Sequence, residues 1–346
     1  MRYLQALFLS LLTSCTLMVP EHVGNIRIVR DRYGIPHVYA DQEAALFFGA
    51  GYVQAQDQLE NLAKNYLRAS GRLAEVEGEA ELDRDRMTRA FRLREKAEAG
   101  FADLDPEIRA HFTAFAEGVN TFIRERRRHI PSWIKEVAAE DAVALALYTD
   151  MMFTLPHCER DLRAAKVTYM RLAGRPSKQD QQLGSNQFAI SPGRSGTGAA
   201  MLSMDPHLPL RGWPRWYEIH LSGPSLNVMG ATFIGLPYVA MGHNGMVAWS
   251  MTVNNPDLGD VFALKLNPGN PLQYLGPRGF EEIEARTESM GYRTSSGISE
   301  RRTRFLSSRF GPIIAQGEAP ASIPTTGAMK TGSGVSDSPT GMPSIA

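Results

Sequence analysis

The chain has 346 residues, 43% of them apolar and 21% charged, proportions of a globular protein able to bury a sizeable core. Its 37 Lys and Arg balance 37 Asp and Glu, so it lacks the basic surplus that holds nucleic acid, and no nucleic-acid partner is expected. Two cysteines, Cys15 and Cys158, exclude a disulfide-rich scaffold and a four-cysteine zinc module, and no apolar run reaches the ~20 residues of a membrane span.

Met1 and Arg2 precede an apolar stretch from Leu4 to Leu12, the length of a secretory signal core. Leu12-Thr-Ser-Cys15 follows, and resembles the bacterial lipoprotein cleavage box, in which the cysteine becomes the lipidated first residue. The expectation is an exported chain, periplasmic or membrane-anchored through Cys15, with residues 1–20 as the signal; an ordinary signal cut near Pro20 is the other reading. With Cys15 removed or lipidated, Cys158 has no partner for an internal disulfide.

Residues 25–40 read as a β-hairpin: Ile26 and Ile28 alternate with polar neighbours and Gly34 suits the turn. From Asp41 to Glu75 the apolar residues fall at helical spacing. Asp105-Pro-Glu107 marks a helix start, and Ile108, Phe112, Phe115, Val119 and Phe122 give that helix a buried stripe. Asp141–Tyr148 and Glu159–Leu172 read as further helices, so residues 21–173 form a mostly helical unit. Residues 174–184 are polar, without periodicity, and read as an exposed linker.

From Ser185 the pattern turns to strands: 187–190, 200–203, 216–221, 227–232, 238–242, 247–252 and 261–266, with Phe310–Ile314 as a last one. The class expected is α+β. Eighteen of the final thirty residues, 317–346, are Pro, Gly, Ser or Thr, a composition that buries too little apolar surface to offset chain entropy, and a disordered tail is expected there.

No Gly-x-Ser-x-Gly, His-Glu-x-x-His, Walker loop or complete Gly-x-Gly-x-x-Gly is present. What stands out is Gly184-Ser185, at the junction of linker and strand. A Ser hydroxyl can attack the carbonyl of a preceding Gly, which tolerates strained backbone, and water can release the ester. The product is an N-terminal Ser whose own α-amine serves as base for its hydroxyl. Taken alone, the same pair also fits an ordinary loop-to-strand turn.

The flanks add weight. Gly34-Ile-Pro-His-Val-Tyr-Ala40, Ala45-Leu-Phe-Phe-Gly-Ala-Gly-Tyr-Val-Gln-Ala-Gln-Asp-Gln-Leu59 and Ser70-Gly-Arg-Leu-Ala-Glu-Val76 come before the pair. After it come Asp205-Pro-His-Leu208, Trp216-Tyr-Glu-Ile-His-Leu221, Gly230-Ala231, Gly242-His-Asn-Gly245 and Ala248-Trp-Ser-Met-Thr252. In this order and spacing, over about residues 25–315, the sequence resembles the penicillin acylase family of N-terminal nucleophile amidohydrolases.

The resemblance implies a four-layer α/β/β/α sandwich wrapped by a helical small subunit, the α and β chains being cut from one precursor between Gly184 and Ser185. It implies Ser185 as nucleophile and His207 as the residue steadying its amino group. It implies the backbone N–H of Val253 as an oxyanion donor, with the Val253 side chain expected to be a buried strand residue. His at 207 and Val at 253 are closer to the cephalosporin and N-acyl-homoserine-lactone acylases than to penicillin G acylases. Without the family, His207 would read as a turn histidine after Pro206. Asp257 and Asp260 follow Asn254-Asn-Pro256, and carboxylates three apart in a loop suit a hard cation. The family implies a structural Ca²⁺ there, with Glu159 as third ligand and Asp161 as its possible substitute; a solvated Asp pair is the plainer reading. No organic cofactor is implied, and the substrate is a small-molecule N-acyl amide.

From Ser185 onward only 162 residues remain, whereas the family's large subunit continues for several hundred, through an Asn oxyanion donor and an Arg with no counterpart here. The expectation is a large subunit incomplete at its C-terminus, with slow hydrolysis at best. Two rivals follow: a non-catalytic envelope lipoprotein remnant of the family, and an unrelated amidohydrolase using Cys158, which lacks a processing linker before it.

Overall fold

A computed structural model describes residues 14–16, 24–164, 168–169, 184–253 and 259–316. Most of the expected signal segment, most of the expected linker, residues 254–258 with Asp257, and the 317–346 tail lie outside the described residues.

Strand β1 (Ser14–Thr16) pairs with β2 (Ile26–Arg30), which forms the expected hairpin with β3 (Pro36–Ala40). Gly34, at φ +85°, makes the turn, and the Asp31 carboxylate accepts the N–H groups of Tyr33 and Ile35 at 2.8 and 2.9 Å.

Helix α1 (Glu43–Ala69) follows, with a non-helical Gln58 that kinks it. Then come α2 (Ala74–Glu77), α3 (Leu82–Phe91), α4 (Leu93–Gly100) and α5 (Pro106–Arg126). The start of α5 has the cap expected of it: Asp105 accepts from Glu107 N at 2.8 Å, with Pro106 in the first turn.

Helix α6 (Ala139–Ala164) is continuous where two helices were expected. Pro156 lies inside it; a proline removes one helical hydrogen bond, but Met151, Leu155 and Leu162 stay buried on both sides and hold the helix together. The second expected helix does not continue to Leu172, because Thr168–Tyr169 is a short strand, β4, paired with Ala315–Gln316.

The remaining strands are β5 (Gly184–Ile190), β6 (Met201–His207), β7 (Trp216–Ser222), β8 (Asn227–Phe233), β9 (Met241–His243), β10 (Ala248–Trp249), β11 (Leu266–Asn267), β12 (Asn270–Gly276), β13 (Gly279–Glu282), β14 (Glu284–Thr294), β15 (Gly297–Ser308), β16 (Gly311–Pro312) and β17 (Ala315–Gln316). The strand expected over 261–266 shrinks to Leu266–Asn267, and that over 247–252 to Ala248–Trp249.

The class is α+β, as expected. A seven-stranded sheet has the order β1-β2-β3-β7-β8-β9-β10, antiparallel except where β3 meets β7. Ile26, Ile28, Val38, Tyr217, Ile219 and Leu221 project from one face into a core shared with α1, α5 and α6. The hairpin β5–β6 is a separate two-stranded sheet.

Candidate active site

Ser185 is the second residue of β5, and β5 pairs only with β6 among the described strands. The register sets Gly184 opposite His207, Ser185 opposite Pro206 and Asn186 opposite Asp205. Gly184, Ser185 and His207, three of the residues singled out in the sequence, are thus brought together by one hairpin. The Ser185 hydroxyl lies 2.5 Å from the carbonyl oxygen of Gly184, on the peptide that self-cleavage would break.

Alternation along the strands places Gly184, Asn186, Asp205 and His207 on one face and the Ser185 side chain on the other. On the first face His207 Nε2 is 3.0 Å from Asp205 Oδ2, and Asn186 Nδ2 is 3.1 Å from the same ring nitrogen. Hydrogen bonds from His207 and then Asn186 hold the Asp205 carboxyl below its ordinary range. His207 is therefore a strand residue engaged by a carboxylate, not a turn residue. Spacing alone did not reveal Asp205 or Asn186 as its partners; the Asp-Pro-His run, two residues apart on a strand, was the available signal.

Val253 departs from expectation. It lies four residues beyond the end of β10, outside regular structure, and it is 39% exposed. Its side chain is not a buried strand residue, because β10 stops at Trp249 and the described residues that follow, 251–253, are exposed. No strand pairing links Val253 to β5 among the described residues.

Of the three expected metal ligands, Asp257 lies outside the described residues and Asp260 is exposed. Glu159 is 8% exposed and forms an ion pair with Arg163 at 2.9 Å, one turn along α6. The chain just before Asp260 touches the same turn: a Cβ added to Gly259 would fall 2.6 Å from Cys158 Sγ. Among the described residues, no group of three or more His, Cys, Asp or Glu is assembled at metal-binding distances. Cys158 is a half-buried thiol on this helix, packed against Gly259.

Apolar side chains of the hairpin are open to solvent: Phe188 is 63% exposed and Met201 47%; Met246, in the loop between β9 and β10, is 91% exposed.

The penicillin amidase family model matches residues 25–342. An acyl-homoserine lactone acylase, PvdQ, of Pseudomonas fluorescens is 30% identical over 90% of this chain and 44% of its own length. The aculeacin-A acylase of Actinoplanes utahensis is 28% identical over 85% of this chain and 42% of its own. A thermostable penicillin G acylase from Alcaligenes faecalis matches 41% of this chain and 85% of that one, at 24% identity and a TM-score of 0.34. The chain spans less than half the length of the curated relatives it matches. Nearly its whole described length, from the first hairpin through the Ser185 strand to the last sheet, falls inside the matched region, and the chain belongs to the penicillin amidase family.

Proposed function

We propose that this chain is a self-processing amidohydrolase that cleaves an N-acyl amide through an N-terminal Ser185. The observation that carries the reading is the Ser185 hydroxyl resting on the Gly184 carbonyl in a chain of this family.

In maturation, Ser185 Oγ attacks the Gly184 carbonyl carbon. The C–O bond forms, the C–N bond breaks, and the hydroxyl proton passes to the Ser185 nitrogen; water then hydrolyses the ester. The freed amine, with an ordinary pKa of roughly 7.7–8.0, takes the hydroxyl proton for the second reaction. Oγ attacks the substrate amide, the amine leaves, and water releases the acid from the acyl-enzyme. The Val253 N–H is the oxyanion donor in this scheme, and one such donor contributes ~2.7–4 kcal/mol to a transition state. The substrate class is an N-acyl amide of the kind named for the relatives, an acyl-homoserine lactone or an acylated antibiotic.

A structural Ca²⁺ belongs to the same proposal. Its support is that the Glu159 carboxylate is buried on the turn of α6 against which Gly259, the neighbour of Asp260, packs through Cys158. These are hard oxygen donors of the type Ca²⁺ takes. Glu159, Asp257 and Asp260 would hold the ion, tying the helical unit to the chain beyond Ser185. Export, with a lipid anchor at Cys15, is proposed from the apolar Leu4–Leu12 stretch and the box that ends at Cys15.

N-terminal sequencing of the purified protein tests the reading. Wild type should yield a second N-terminus beginning Ser185-Asn186-Gln187, and Ser185→Ala should remain one chain. The cleaved protein should release acid from a panel of phenylacetyl, glutaryl and long-chain acyl amides. A wild-type chain that stays uncut and inert on the whole panel would return the protein to the non-catalytic reading.

A further inference from the structure

The face of the β5–β6 hairpin opposite the Ser185 hydroxyl is a built arrangement of four positions. Asp205 and His207 lie two residues apart on β6, and Asn186 lies across from Asp205 on β5. Gly184 completes the set opposite His207 and contributes no side chain, so the imidazole occupies that corner. A Cβ added to Gly184 would be 3.5 Å from His207 Nδ1.

The protonation pattern follows from the partners. Asp205 is ionised at neutral pH and can only accept hydrogen bonds. His207 Nε2, 3.0 Å from its Oδ2, is therefore the donor. The Asn186 amide also bonds this carboxylate; its Nδ2, 3.1 Å from Nε2, could donate to the ring only in the other tautomer, and the shorter contact to a charged acceptor sets the proton on Nε2. A neutral ring that carries its proton on Nε2 keeps a lone pair on Nδ1, the nitrogen that faces Gly184.

We propose that Asp205, supported by Asn186, is the positioning residue for His207, holding the ring with Nε2–H on the carboxylate and the Nδ1 lone pair turned to the Gly184–Ser185 junction. On the reading of Ser185 as nucleophile, Nδ1 then accepts an N–H of the amine freed at Ser185. It does so from the face opposite the hydroxyl, which leaves the amine lone pair directed at Oγ. Asp205 touches neither substrate nor nucleophile; it acts through the ring.

Two measurements on the full chain separate this inference from the reading beneath it. The first uses Ser185→Ala, which keeps the chain uncut, with ¹⁵N-labelled histidine. The His207 ring should show a protonated Nε2, held from exchange, and an unprotonated Nδ1. Adding Asp205→Asn should abolish the held Nε2–H signal, and Asp205→Glu should restore it. Ring spectra indifferent to Asp205→Asn would overturn the proposal. The second measurement is the rate at which an activated acyl ester acylates Ser185 in the cut protein. Asp205→Asn should slow it ~10²-fold, the lower end of what a correctly held acid–base group contributes, with recovery in Asp205→Glu. An equal rate in Asp205→Asn would also overturn the proposal. An uncut wild type whose Ser185→Ala form gives the expected ring signals would defeat the processing reading and still uphold the Asp205–His207 pairing.

Discussion

Asp85 is 2% exposed and accepts two backbone N–H bonds, from Leu73 at 3.0 Å and Ala74 at 2.7 Å. It closes the turn between α1 and α2 from the side of α3. Burial pushes its carboxyl up to about 7, outweighing the two amide donors and the nearby Arg89, which favour the charged form. A carboxyl whose pKa is higher in the folded state than in the unfolded chain stabilises most at low pH, and that contribution is lost as pH rises through about 7. Asp85→Asn mimics the protonated acid and lacks this dependence. Denaturant midpoints from pH 4 to 8 should therefore drift in favour of Asp85→Asn as pH increases, whereas parallel curves would mean that the carboxyl is ionised throughout. Asp85→Ala strands two buried donors and should cost about 3 kcal/mol near pH 4, a deficit that shrinks as pH rises toward 7 and the wild-type carboxyl ionises.

Helices α1 and α5 meet at two glycines. A Cβ on Gly51 would fall 2.0 Å from the Phe115 carbonyl oxygen, and one on Gly118 would fall 2.0 Å from that of Phe48. Each helix thus presses backbone against the other's small residue, and neither carbonyl can swing away without breaking its own helical hydrogen bond. Gly51→Ala and Gly118→Ala should each destabilise by ~2–3 kcal/mol, and the double variant by less than the sum, because either one alone already forces α1 and α5 apart at the same crossing. Gly100, at the end of α4, has nothing within 4 Å of an added Cβ, so Gly100→Ala should be neutral or slightly stabilising. Urea unfolding of the three single variants and the double one checks the set. The hairpin β14–β15 docks differently. Met290 and Phe305 bury against Ala74, Leu82 and Ala90, and Arg89–Glu288 at 3.3 Å and Arg92–Glu284 at 3.2 Å flank them.

Taken whole, the molecule crosses the Gly184–Ser185 bond many times. The seven-stranded sheet joins β2 and β3, which precede that bond, to β7, β8, β9 and β10, which follow it. At the parallel junction His37 and His220 pair in register, their Nδ1 atoms 2.9 Å apart. Behind it, Gln54 and Asn65 of α1 bond the backbone of Gly235 and Ile234, at 2.8 and 2.9 Å. Cutting the chain at Ser185 leaves all of these contacts in place. The two pieces should co-elute in size-exclusion chromatography and separate only in denaturant; separation in native buffer would mean that the sheet does not span the cut. The proposed cation adds a further tie. A chelator should lower the melting temperature of wild type through lost ligand linkage, and Asp257→Asn with Asp260→Asn should melt lower and ignore the chelator. Melting of wild type that is indifferent to chelator would favour the solvated Asp pair.

Much of the backbone was legible because it depends on neighbours in sequence. Gly34 dictates the first turn through its φ of +85°, and Asp105 with Pro106 starts α5 through a cap spanning two residues. The order of the motifs also announced the family and singled out Gly184 and Ser185. Other features had no local signature. Helices α3 and α4 were not anticipated, because arginines and acids interrupt their apolar positions and their stability comes from Asp85, Met87 and Leu93 once packed. The β14–β15 hairpin escaped for a similar reason: only Met290 and Phe305 of its strands are buried, and its ion-pair partners are charges brought from α3, from its end and from the turn before it. Local sequence determined where the chain turns, caps and alternates, since those choices are made within a few residues. Register and packing between distant segments decided what Asp205 and Asn186 do for His207, how β3 meets β7, and which face of Ser185 its hydroxyl takes, since those are set only when strands far apart in sequence pair.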